Sequence, residues 1–153
     1  MHPRAEDLDQ QTRVAWALRP IYTDRWMQRR PTLQPDRRKV TLIVLYIPSV
    51  ERDGHTLIEQ DAWVQEALDF FGAVFGGATA FPKARGIWRD SERNDALIYD
   101  EPVMLHCYVD PKQLASDEVQ QDLGDFCRRL GRETRQGEVG LIIDNEYFAF
   151  TKF

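Results

Sequence analysis

The run KVTLIVLYIP, Lys39 to Pro48, sets the terms for any fold this chain can reach. Leu42 to Ile47 are apolar without a break, which predicts a strand covered on both faces and central in its sheet. Such a strand needs pairing partners on both edges and cover on both sides. The rest of the sequence must supply them.

Helical cover is legible in two places. Trp63, Val64, Ala67, Leu68, Phe70, Phe71, Val74 and Phe75 fall on one broad face at helical spacing, with Asp61, Gln65, Glu66 and Asp69 opposite. Thr56 and Glu59, in the turn-rich loop before it, have the spacing of a capping box. Gly76 follows the last apolar position, where a left-handed residue closes a helix. The pair Gly76-Gly77 therefore reads as the end of a helix. A phosphate cradle needs glycines after a strand and before a helix N-terminus, the reverse of this order. The second helix opens with Ser116 as N-cap and Asp117 and Glu118 in its first turn. It carries Val119, Leu123, Phe126, Cys127 and Leu130 on one stripe, and Gly131 is expected to end it.

Strands fill the intervals. PVMLHCYVD alternates strictly, with Val103, Leu105, Cys107 and Val109 on one face and Met104, His106 and Tyr108 on the other. EVGLIIDNEYFAF reads as two strands joined at Asp144-Asn145-Glu146. ARGIWRDSERNDALIYDE reads as a polar connection anchored by Trp88, with Arg89 to Asp95 as a solvated loop or a lid. The expected class is α+β, a ferredoxin-like βαββαβ plan with two helices on one face of an antiparallel sheet, plus a C-terminal hairpin. The helices leave the opposite sheet face open, and it is expected to be closed by dimerisation, by the N-terminal arm, or by both.

Length and charge divide the chain. Its 153 residues suit one domain with an appendage. Residues 1–38 hold eight arginines against five acids; the remainder holds twelve Lys and Arg against twenty acids, and the whole carries −5. The expected organisation is a basic, partly helical arm, 1–38, and an acidic α+β domain, 39–153. The overall charge argues against nucleic acid and anionic lipid. Two cysteines, a charged start and no long apolar run lead to the expectation of a cytoplasmic protein with no membrane segment.

Phe75, Gly76, Gly77 and Thr79, then Gly86 and Trp88, Glu101, Gln136 and Val139 form a recurring pattern. It resembles a family of small bacterial domains with a Phe-Gly-Gly-x-Thr stretch, a Gly-x-Trp and a late Gln-x-x-Val. The resemblance spans about Val40 to Phe150, excludes the arm, and implies the fold and no particular activity.

Candidate site residues follow from the open face. Met104, His106 and Tyr108 are expected there, with His106 able to move a proton near neutral pH and Trp88 as a wall. Arg132 and Arg135, beside Glu133, Gln136 and Glu138, are candidates for meeting an acidic ligand, or for surface ion pairs. Trp16, Trp26, Arg29 and Arg30 are interface candidates, of the types enriched in hot spots. Cys107 and Cys127 read as small core residues. No pair of histidines has metal-ligand spacing, so neither metal nor cofactor is expected. The leading functional expectation is a non-catalytic interaction or accessory module, self-associating as a homodimer or binding a partner protein, in a bacterial cytoplasm. The alternative is a small dimeric enzyme or small-ligand-binding protein with a pocket beside His106 and Tyr108. A weaker alternative is nucleic-acid binding through the arm, against which its balance of +3 speaks.

Overall fold

The computed structural model describes residues 38–153. The expectations for the arm, including its helices and Trp16, Trp26, Arg29 and Arg30, lie outside the described residues. Arg38–Phe153 forms one compact unit. Its elements are β1 (Thr41–Ile47), α1 (Gln60–Phe75), β2 (Thr79–Ala80), β3 (Gly86–Asp90), β4 (Ala96–Asp100) and β5 (Val103–Val109). They continue with α2 (Pro111–Leu114), α3 (Asp117–Glu133), β6 (Val139–Ile143) and β7 (Glu146–Phe150).

The doubly apolar strand is central, as its composition requires. β1 is third in the order β2-β5-β1-β6-β7, pairing antiparallel with β5 and β6. Ile43, Leu45 and Ile47 point to the helices and are fully buried. Around them pack Trp63, Ala67 and Phe71 from α1, Leu123, Phe126, Cys127 and Leu130 from α3, and the inward faces of β5 and β6. Phe126 joins the two helices, edge-on to Trp63 at 6.2 Å and stacked on Phe70 at 5.0 Å between ring centroids. Such aromatic pairs add about 0.5–1.5 kcal/mol beyond their buried area.

The architecture is α+β, an antiparallel sheet with helices on one face. The strand plan departs from the expected six-element order. Residues 86–100, expected as a polar connection, are a separate two-stranded ribbon, β3-β4, with Trp88 opposite Ile98 and Ile87 opposite Tyr99. A 3-10 turn at Ser91–Arg93 reverses the chain. Asp90 caps it through the Glu92 amide, and Asn94 and Asp95 take positive φ of 61° and 58°. Asn and Asp tolerate that region better than other side chains, so a mixed-charge stretch makes a tight hairpin. No lid loop exists there.

Two helix signals are corrected. Thr56 and Glu59 form no capping box: Thr56 instead donates its hydroxyl and amide to Asp53, which also accepts the His55 amide. These three bonds, the Thr56 hydroxyl foremost, hold the Asp53 carboxyl down at about 2. Gly131 does not end α3, which runs to Glu133. The left-handed residue is Arg135, φ 50°, and the Gln136 amide reaches back to the Gly131 carbonyl. Gly131 is small for another reason: a Cβ there would stand 2.0 Å from the Phe153 ring.

Gly76 does close α1, at φ 92°, donating its amide to the Gly72 carbonyl at 3.0 Å. Nothing lies within 4 Å of where its Cβ would be, so a side chain there costs backbone strain alone. Gly76→Ala is expected to destabilise by about 1–2 kcal/mol in urea denaturation, with unchanged cooperativity. An unchanged midpoint would contradict the left-handed cap.

Candidate functional site

A cavity of about 530 Å³ opens on the sheet face away from the helices, within the size range of small-molecule sites. Its floor comes from β1, β6 and β7, and its far wall from the β3-β4 ribbon. The loops after β1 and before β6 close the sides. Strand alternation decides which residues reach it. Leu45 and Ile47 turn to the helices, so Tyr46 turns to the cavity, and Trp88 stands edge-on to it at 6.4 Å. Trp88 is 45% exposed, leaving its indole available to a ligand.

The opposite side is built on a missing side chain. Gly140 of β6 pairs with Ala149, and the next residue on the same face, Ile142, pairs with Tyr147. The Tyr147 ring leans back diagonally over Gly140 and its hydroxyl donates to Glu138 Oε1 at 2.5 Å. A Cβ at residue 140 would lie 2.5 Å from that hydroxyl and 2.8 Å from Cε2. Burial of the hydroxyl end, then the Glu138 carboxylate, push the phenol above its ordinary range.

The rim is an ion cluster. Arg52 forks onto Asp90, Nε to Oδ2 at 2.8 Å and Nη2 to Oδ1 at 2.7 Å, and Nη2 also meets Glu92 at 2.7 Å. The hydrogen bonds from Arg52 hold the Asp90 carboxyl at about 2, and the two carboxylates raise the guanidinium further. The Arg52 backbone is held on both sides. Its amide donates to the Arg135 carbonyl, and its own carbonyl accepts from Arg93. Asp100, 7% exposed, accepts from the Ser49 amide at 2.8 Å and hydroxyl at 2.6 Å. Gln136 ties the β6 entry to the Val50 carbonyl at 2.8 Å. Glu51, Asp90, Glu92, Asp100 and Glu138 line the cavity against Arg52, Arg89 and Lys152, so the described lining is net acidic.

Of the sequence candidates, Trp88 lines this cavity. Met104, His106 and Tyr108 share the sheet face but lie on β5, opposite Tyr46, Val44 and Leu42. His106 packs against the Phe81 ring at 4.5 Å, and Tyr108 is exposed. Arg132 sits on the helix side of the sheet, in a shallow groove with Phe70, Phe126, Arg128 and Arg129. Arg135, past the end of α3, has Nη1 3.6 Å from Glu51. The structure thus does not gather His106 with the arginines. Sequence patterning does not single out Tyr46, Arg52, Gly140 and Tyr147 as site residues. A glycine at an outward position of an apolar strand, with an aromatic in the facing strand of a hairpin, is the available signal for two of them.

No family model matches the chain, and no curated protein does. Solved structures match in fold. A phage SAM lyase in complex with S-methyl-5'-thioadenosine is 12% identical with a TM-score of 0.58, over 79% of this chain and 96% of that one. A phage SAM lyase in the apo state is 14% identical with a TM-score of 0.52, over 72% and 88%. At this identity the likeness is one of fold. It corrects the expectation of a non-catalytic interaction module, which rested on the absent catalytic motif and on the aromatic, arginine-bearing arm, since an enzyme of comparable size has this architecture.

Proposed function

We propose that the chain is a small enzyme that binds an adenosyl sulfonium compound in the cavity beside Trp88 and breaks a carbon–sulfur bond in it. One observation carries the reading: an aromatic wall and a net acidic lining share one cavity, on the fold of a SAM lyase. S-adenosylmethionine presents a flat purine and, at neutral pH, two positive charges against one negative. The exposed indole suits the purine, since base–aromatic stacking contributes about 1–3 kcal/mol per base. The carboxylates suit the cations. Arg52 is already engaged by Asp90 and Glu92, and Arg89 lies 3.8 Å from Asp95, which leaves Lys152 to meet the ligand's carboxylate.

The chemistry asks little of the protein. As the bond breaks, its electron pair moves to sulfur and a neutral thioether leaves, so no acid is needed at the leaving group. The substrate's own carboxylate oxygen can supply the replacing pair by attacking the carbon that sulfur leaves, closing a lactone as the thioether departs. No proton moves, and no protein nucleophile is required. A cavity without a paired Ser/His or Cys/His among the described residues is compatible with that step. What the site supplies is binding and orientation. We also read the order β2-β5-β1-β6 as a ferredoxin-like plan extended by β7 and interrupted by the ribbon.

The test is direct. Full-length protein incubated with S-adenosylmethionine is expected to release S-methyl-5'-thioadenosine, followed by chromatography. Trp88→Ala is expected to weaken S-adenosylmethionine binding in calorimetry by roughly tenfold or more. If the unmodified protein neither binds S-adenosylmethionine nor releases the thioether, the reading is overturned.

A further inference from the structure

Five carboxylates line the cavity, and their partners differ. Asp90 and Glu92 are taken by Arg52, Asp100 by the Ser49 amide and hydroxyl, and Glu51 lies 3.6 Å from Arg135. Glu138 is different: the partner it has among the described residues is the neutral Tyr147 phenol. A phenol donor fixes a carboxylate in place and leaves its negative charge uncompensated. Resting on the reading above, we infer that Glu138 is the carboxylate that meets the ligand's positive charge, that Tyr147 is the residue positioning it, and that Gly140 is what admits Tyr147.

The geometry explains each part. Glu138 stands immediately before β6 and two residues before Gly140, and both line the cavity. Tyr147 is two residue pairs further toward the turn of the hairpin, across from Ile142. To reach Glu138 its ring must cross the residue between, and only a glycine leaves that path clear. The hydroxyl donates to one carboxylate oxygen, leaving the other oxygen to the ligand. The chemical consequence is discrimination by charge. A sulfonium and the thioether of almost the same shape differ by one positive charge, and a fixed uncompensated carboxylate separates them. It also favours release of the neutral thioether once the bond has broken.

The experiment compares S-adenosylmethionine with S-adenosylhomocysteine, the neutral thioether, by calorimetry on the full chain. The unmodified protein is expected to prefer the sulfonium by roughly tenfold. Glu138→Gln is expected to remove that preference, and Tyr147→Phe, which keeps the ring, to reduce it several-fold with thioether affinity unchanged. Gly140→Ala should act like Tyr147→Phe by displacing the hydroxyl, which guards against a fault peculiar to one variant. If the variants weaken both compounds equally, or leave the ratio unmoved, Glu138 and Tyr147 do not read charge, and the inference falls while the adenosyl reading stands. If the unmodified protein binds neither compound, both fall.

Discussion

Phe71→Ala is expected to destabilise the protein by about 3–5 kcal/mol, the cost of truncating a buried aromatic side chain. Phe71 is 1% exposed, the largest of the fully buried side chains, and lies on the α1 face that meets the sheet. Its ring touches Phe70 at 5.5 Å and Phe75 at 5.7 Å between centroids, so truncation opens a hole bounded by rigid neighbours. The strands beneath cannot move in to fill it, because β1 is paired on both edges. With total stability of domains at about 5–15 kcal/mol, such a loss takes a large share. Urea denaturation followed by circular dichroism measures it. A loss below about 1 kcal/mol would mean that α1 does not seat on the sheet as described.

The second large effect concerns the two thiols. Cys107 and Cys127 are 1% and 0% exposed, and burial pushes their thiols up to about 11 and about 12. The thiolate is the reactive form, so at pH 8 alkylation of the folded protein is expected to be at least about a hundredfold slower than that of a free thiol. In denaturant both thiols should react at the ordinary rate. Fast labelling of folded protein would place at least one thiol outside the core. The same shift bears on stability. Both groups are neutral when folded and ionise more readily when unfolded, so the unfolded state sheds protons first as pH rises. Their contribution is fully present below about pH 9 and is lost progressively above it. The Asp90 carboxyl has the opposite sign. Held at about 2 by Arg52, it contributes above its unfolded value near 4, and that contribution is lost as pH falls through 2.

Much of the body is legible in the amino-acid sequence because its signals are local. The unbroken apolar run from Leu42 to Ile47 reads as a central strand, and it is one. The alternation of Val103 to Val109 sets which side chains face the helices, and the fold keeps Cys107 there, donating to the Gly77 carbonyl. Gly76 sits where a left-handed closing residue is expected. In each case period, branching or a single backbone angle fixes the outcome within a few residues. The expectations that fail are those where two local signals compete. Thr56 has a capping partner by spacing, but Asp53, three residues earlier, offers two oxygens to its hydroxyl and amide. Residues 86–100 are polar enough to suggest a loop, although Trp88 opposite Ile98 and Ile87 opposite Tyr99 make a ribbon once the turn is placed.

The sequence by itself determined the layers: which strand is central, which faces of α1 and α3 are apolar, and that both of these helices cover the same face of the sheet. Only the tertiary structure decided what stands on the other face. The cavity joins Tyr46 to Trp88, Arg52 to Asp90 and Glu138 to Tyr147. The first two pairs lie 42 and 38 residues apart, and the third needs a diagonal step across a hairpin. Those meetings depend on strand register and on how far the ribbon leans over the sheet. Periodicity gives the side of a strand on which a residue sits; it does not say which residue of a distant segment will sit opposite.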